Sequence, residues 1–327
     1  MIVDFHTHIV PDAFPATSGT EALWPSMKHH GDGRADVMIA GKVYRKIDER
    51  SWAVAPRMVD MDRDGIDVQV LSPMPELLSY WFSPEDGGDI CDAVNGHINA
   101  MVADAPDRFR GIGMVPMQDP KLAASHLKKL HDSGMIGVLV GSHIEGLPLG
   151  DASLDPFYQT AQDLGMLVMV HAMHPAGMDR VGGPAGLAGT VAFPLETALA
   201  ASSLIVGGVM ERFSDLKLML CHGGGALMSL LPRLDFAWHK GMSIASAVSV
   251  PPSEIARRFF FDSIVYSDDS LNTLIDRVGG DRVVMGTDYP FAIMQTDPVN
   301  FISGASAGHA PAILAGTPFD LARKTRI

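Results

Sequence analysis

At 327 residues, with 47% apolar and only 19% charged residues, the chain can bury a large core, and its length suits either two ordinary domains or one large α/β barrel. A net charge of −13 without any basic run argues against nucleic acid as a partner, and the composition leaves no disordered class in play. Two cysteines, Cys91 and Cys221, make no disulfide framework. With an N-terminus interrupted by Asp4, His6 and His8 and no apolar run near the ~20 residues of a membrane span, they predict a cytoplasmic protein without membrane contact.

The first apolar run, over 2–5, predicts a strand buried on both faces, and it delivers His6-Thr7-His8. Residues two apart on an extended chain project to the same side, so the two imidazoles converge, either on a metal ion or as an ordinary buried pair. The segment 11–41 is rich in Pro, Gly and polar residues and leads to a β-like stretch over 42–47. It is too long for an ordinary barrel loop, so residues of about 11–50 are expected to form a small insertion over the mouth where the histidines sit.

A regular cadence begins at Arg57. Met58, Val59 and Met61 predict a helical stripe ended by Gly65, before a strand over 68–71. Ile90, Val94, Ile98 and Met101 mark a helix ending near Pro106, then a strand over 111–115. Leu122, Leu127 and Leu130 give the next helix, Gly134 stops it, and a strand follows over 136–140. Phe157, Ala161 and Leu164 precede the strand over 166–170 that delivers His171. An Ala-rich helix from Leu195 to about Val209 leads to the strand over 216–221 that delivers His222. A short strand over 259–261, a helix marked by Leu271, Leu274, Ile275 and Val278, and a strand over 282–285 that delivers Asp288 complete the series.

Eight apolar strands alternating with helices predict a parallel sheet closed as a (β/α)8 TIM barrel, with an open doubly wound sheet as the fallback. No Gly-x-Gly-x-x-Gly follows the first strand, which speaks against a dinucleotide site. His6, His8, His171, His222 and Asp288 all follow strand C-termini, where such barrels keep their chemistry. Alone, His222 could occupy a tight turn in Cys221-His222-Gly223-Gly224-Gly225, and Asp288 could cap a turn. Together, imidazoles and a carboxylate suit one divalent ion, Zn²⁺ before Mn²⁺ or another, with an open position for water or substrate. The strand-four end, Gly141-Ser142-His143, offers no lysine or carboxylate to bridge a second ion. His143 either lines the pocket or is a hydrogen-bonded loop histidine.

The His6-x-His8 pair, His171, the His222-Gly-Gly-Gly turn and Gly286-Thr-Asp288-Tyr-Pro-Phe together resemble the amidohydrolase superfamily. Within it the chain is similar to the aminocarboxymuconate-semialdehyde decarboxylase branch. The likeness extends to His29-His30, Gly41-Lys42-Val43-Tyr44-Arg45, Val68-Gln69-Val70-Leu71-Ser72, Ser79-Tyr80-Trp81 and Pro84-Glu85-Asp86. The resemblance implies His6, His8, His171 and Asp288 as metal ligands and His222 as the acid/base partner of the metal-bound water. It implies Arg45 as a ligand of a substrate carboxylate, and Arg233 as a residue reaching the neighbouring subunit's site in a homodimer. A solvated surface charge is the plainer reading of Arg233. The segment 172–177, the run 182–190 and the C-terminal stretch 311–327 depart from the family, the first two lacking the tryptophans of the decarboxylase pocket.

The expected activity is a metal-dependent, non-oxidative decarboxylation of an unsaturated or aromatic carboxylic acid, with protons moved by His222 or delivered to the ring carbon by Asp288. The same site would also serve a hydrolase or hydratase of a lactone, amide or related small acid. A barrel that only senses small acids is the non-enzymatic alternative.

Overall fold

The computed structural model describes residues 1–16, 23–184 and 186–322, so parts of the insertion and of the atypical segments (17–22, Ala185 and 323–327) lie outside the described residues. The chain opens with β1 (Val3–Ile9), whose seven residues are all buried. The insertion follows as an antiparallel sheet of β2 (Ser26–His29), β3 (Arg34–Ile39) and β4 (Lys42–Asp48). Only the last of these strands is readable in the sequence, because β2 is four residues long and mostly polar and β3 carries Asp36 in its middle.

The barrel then runs α1 (Val54–Asp64), β5 (Val68–Pro73), α2 (Pro84–Asp104), β6 (Phe109–Gly113), α3 (Pro120–Ser133) and β7 (Gly137–Gly141). A small hairpin, β8 (His143–Ile144) and β9 (Leu147–Pro148), precedes α4 (Asp155–Asp163) and β10 (Leu167–His171). Next come α5 (Met178–Val181), α6 (Leu187–Val206), α7 (Val209–Arg212), β11 (Lys217–Leu220), α8 (Leu227–His239), α9 (Pro252–Ala256) and β12 (Phe260–Asp262). The chain ends through α10 (Asp268–Val278), β13 (Val283–Val284), α11 (Pro298–Ala305) and α12 (Thr317–Ala322).

Eight strands pair in parallel in the order β1-β5-β6-β7-β10-β11-β12-β13. Closure comes from Phe5 N donating to Met285 O (2.8 Å) and His8 N to Tyr289 O (2.7 Å), which makes a (β/α)8 barrel. The strands are apolar on both faces because the barrel interior covers one and the helices the other. Each buried Val, Leu or Ile contributes about 1.5–3 kcal/mol over leaving it in water. Helix ends follow local chemistry. Asp119 caps α3 by accepting from Lys121 N and Leu122 N, and Gly134, at φ 92°, ends it.

Three expectations need correction. On α1 the inward face is Arg57 and Met61, four residues apart, while Val59 is 69% exposed and belongs to no core stripe. The Ala-rich helix starts at Leu187, seven residues ahead of Pro194, and stops at Val206 before Gly207-Gly208. Proline normally ends a helix, but α6 runs on through Pro194, whose carbonyl accepts from Ala226 N at 3.0 Å. Gly225 makes this possible, since a Cβ there would stand 2.1 Å from the Pro194 oxygen. Finally, Gly189–Val206 is long and apolar enough to cross a membrane by length and composition, contrary to the reading that no run approaches a span; 44% of it is buried against its own fold.

Candidate metal centre

β1 presents His6 and His8 to the same side, and its neighbours supply the rest. His171 ends β10, His222 follows β11, and Asp288 follows β13. The donor atoms of His6, His8, His171 and Asp288 all lie within 4.8 Å of one another, and all four residues are buried. Gly286 allows the approach, because a Cβ at that position would meet the His6 Cβ at 2.8 Å. His222 and Asp288 both hold positive φ values, 56° and 67°, which non-glycine residues adopt only under local constraint.

The outer nitrogen of each imidazole fixes its tautomer. His8 Nδ1 donates to the Pro73 carbonyl at 2.9 Å and His171 Nδ1 to the Ala172 carbonyl at 2.8 Å. A carbonyl only accepts, so both Nδ1 atoms carry the proton. His6 Nδ1 lies 2.6 Å from Asp262 Oδ2, and that carboxylate also accepts from the His222 and Gly223 amides. Burial pushes the Asp262 carboxyl up, but His6 and these donors bring it below the ordinary range. All three Nε2 atoms therefore turn unprotonated lone pairs inward. Burial lowers His8 to about 4 and holds His171 well below its ordinary value, so both rings are neutral near pH 7.

His6 Nε2 and His8 Nε2 are 2.9 Å apart, and Asp288 Oδ1 is 3.0 Å from the latter. His171 Nε2 and Asp288 Oδ1 are buried with no hydrogen-bond partner. Burial works against ionisation of Asp288, but the neighbouring His222 imidazole leads the interactions that hold its carboxyl well below the usual range. Three inward lone pairs and a carboxylate, each oriented by an outer hydrogen bond or by crowding, fit a divalent cation.

His222 stands slightly apart, with Nε2 at 3.8 Å from Asp288 Oδ2 and Nδ1 buried without a partner. Burial disfavours its protonation, but the Asp288 carboxylate outweighs this and raises the imidazole above its ordinary value. Arg45, from the insertion, lies 4.0 Å over the Phe291 ring, which itself stacks on His8 at 4.8 Å. Arg233 is exposed on α8 and is not part of the cavity wall of its own chain. His143 lies on β8 rather than in a loop, accepts from Gly146 N and does not line the cavity.

Sequence reasoning missed Asp262, although it closes a Phe-Phe-Phe run at the same strand-end position as the other ligands. It also missed the floor beneath β1. There, buried Asp4 accepts from Thr287 Oγ1 at 2.7 Å, and buried Arg57 donates to Gln69, Thr7, the Arg50 carbonyl and the His8 carbonyl.

A cavity of about 710 Å³ reaches His171 and Asp288 of the four groups, together with His222, and is walled by residues such as Met74, Met173, Phe193 and Met228 and by Arg45 and Glu76. Histidines and a carboxylate at the C-terminal mouth of a (β/α)8 barrel define a metal-dependent barrel enzyme. A sequence model of the amidohydrolase family matches residues 3–316. The chain belongs to that family. It is 34% identical over 304 residues to 2-amino-3-carboxymuconate-6-semialdehyde decarboxylase of Dictyostelium discoideum, covering 92% of this chain and 84% of that protein. It is 30% identical over 247 residues to gamma-resorcylate decarboxylase of Polaromonas sp., covering 71% and 75%. The fold matches that of a dihydroxybenzoic acid decarboxylase from Polaromonas sp., solved with manganese and 2-nitroresorcinol, with a TM-score of 0.78 at 23% identity over 100% of this chain and 98% of that one.

Proposed function

We propose that His6, His8, His171 and Asp288 hold one divalent ion and that His222 and Arg45 serve the chemistry beside it. The chain is a carboxy-lyase of the amidohydrolase superfamily, acting without an oxidant on an unsaturated or aromatic carboxylic acid. The observation that carries this reading is the convergence of three aprotic Nε2 atoms and one carboxylate at the floor of an apolar cavity. Similarity to the Dictyostelium relative favours a 2-amino-3-carboxymuconate 6-semialdehyde as substrate.

When bound, the ion supplies Lewis acidity and lowers the pKa of its water toward about 7. Imidazole-rich ligation favours Zn²⁺, with Mn²⁺ the alternative suggested by the Polaromonas structure. The Arg45 guanidinium, lying on Phe291, grips a substrate carboxylate with paired hydrogen bonds. The bond to the departing carboxylate breaks, its electron pair remains on the conjugated carbon, and CO₂ leaves. His222 supplies the proton that takes its place.

Arg233 would reach the site of a second copy in a homodimer. The exposed apolar residues Leu195 and Leu199 on α6 and Leu230 and Phe236 on α8 support burial of that surface by another chain. A cytoplasmic location fits the two unpaired, buried thiols.

The test is incubation of metal-loaded protein with the muconate semialdehyde and a panel of aromatic acids in H₂¹⁸O. Decarboxylation releases one CO₂ per product and gives a product whose mass is that of the substrate less CO₂, with no water added beyond the exchange of any aldehyde oxygen. Incorporation of ¹⁸O without CO₂ would instead show a hydratase or hydrolase.

A further inference from the structure

Successive residues of a β-strand point to opposite faces, yet Tyr44 and Arg45, neighbours on β4, both line the cavity. The pairing of β3 with β4 explains this. Val37 pairs with Arg45 and Met38 with Val43, so Tyr44 is the extra residue of a bulge, a device that re-aims side chains beside active sites. A bulge lacks its ladder hydrogen bonds, so something else must fix its conformation.

That anchor is Glu76, on the turn after β5. Its Oε2 accepts from the Tyr44 hydroxyl at 2.8 Å, and its Oε1 lies 3.0 Å from His174 Nε2, on the loop after β10. The His174 ring stacks on Trp81 at 5.1 Å, and its hydrogen bond to Glu76 raises its pKa above the ordinary value. One carboxylate thus ties the insertion to two barrel loops.

We propose that Glu76 is a positioning residue for Arg45: through the Tyr44 hydroxyl it pins the bulge that turns the guanidinium over Phe291 and into the cavity. The inference rests on the reading of Arg45 as the carboxylate-binding group. Without the anchor, the guanidinium samples many rotamers, and substrate binding must supply the ordering.

The experiment uses the metal-loaded enzyme with 2-amino-3-carboxymuconate 6-semialdehyde and crystals of the same variants without substrate. Glu76→Ala and Tyr44→Phe are expected to raise KM about 10-fold with kcat within about twofold. Glu76→Gln restores most of the loss, because its amide oxygen still accepts from Tyr44. Adding Glu76→Ala to Arg45→Ala raises KM no further, since the positioned group is already gone. Fully additive effects would overturn the proposal. An unchanged KM in Arg45→Ala alone would instead overturn the carboxylate-binding reading. The crystals decide the clamp independently of activity: in Glu76→Ala the guanidinium leaves the Phe291 face, whereas retention of the 4.0 Å stack would contradict the proposal.

Discussion

His6 Nε2 and His8 Nε2 sit 2.9 Å apart although both rings direct their protonated Nδ1 atoms elsewhere, to Asp262 and to the Pro73 carbonyl. Neither ring has a proton to offer the other, and the Asp288 carboxylate adds negative charge 3.0 Å from His8 Nε2. Buried lone pairs facing one another cost free energy, and a cation converts that cost into binding. Chelation should therefore lower the thermal midpoint. With free metal at about a thousand times its dissociation constant, the ion contributes about 4 kcal/mol of stability. Calorimetry of loaded and chelated protein checks this, and identical midpoints would argue against a metal centre.

Ligation and proton transfer separate by substitution. His171→Ala removes one donor and should lose most of its bound metal, read by elemental analysis. His222→Ala should keep metal near one ion per chain and lose at least about 100-fold in kcat, the scale of a general acid or base. Asp262→Asn weakens the outer hydrogen bond of His6 and should reduce metal affinity about 10- to 100-fold. Equal metal loss in the His171 and His222 variants would reverse the assigned roles.

Arg57 is 0% exposed and bridges α1 to β1 through the Thr7 side chain and the His8 carbonyl. Burial lowers its pKa to about 10, still leaving it charged at neutral pH. Arg57→Met keeps most of the volume but leaves several buried acceptors unpaired. The expected loss is about 3 kcal/mol in denaturant unfolding. A loss below about 1 kcal/mol would show that the floor beneath His8 relaxes around the gap.

Much of this architecture was legible because parallel barrel strands are buried on both faces. Runs such as Leu167–His171 read as continuous apolar stretches, and polar residues stand out where those runs end. The same logic marked His6, His8, His171, His222 and Asp288. Asp262 was equally marked by position, but a carboxylate that orients a ligand carries no spacing signature of its own. The insertion was harder. Its β2 is short and mostly polar, β3 carries Asp36 in its middle, and the bulge at Tyr44 depends on pairing with β3, which local sequence does not encode. The α6 start was hidden because Pro194 normally breaks a helix, while the contact of its carbonyl with Ala226 is tertiary.

The His174–Glu76 pair makes a pH prediction. The Glu76 hydrogen bond, aided by the nearby charges of Glu76 and Glu145, raises the folded-state pKa of His174 above 6.5, while burial acts in the opposite sense. A raised histidine pKa means that the pair's stabilisation is fully present below the unfolded value. It is lost as pH rises through the folded-state value. NMR titration should place the His174 transition above pH 6.5, and Glu76→Ala should bring it down. A titration at or below 6.5 in the parent protein would show that the pair does not persist in solution.

The most direct measurement is anomalous diffraction at zinc and manganese edges from active protein purified without added metal. One peak is predicted, within coordination distance of Nε2 of His6, His8 and His171 and of the Asp288 carboxylate. Active protein with no peak at that position, or with the ion bound away from Asp288, would contradict it.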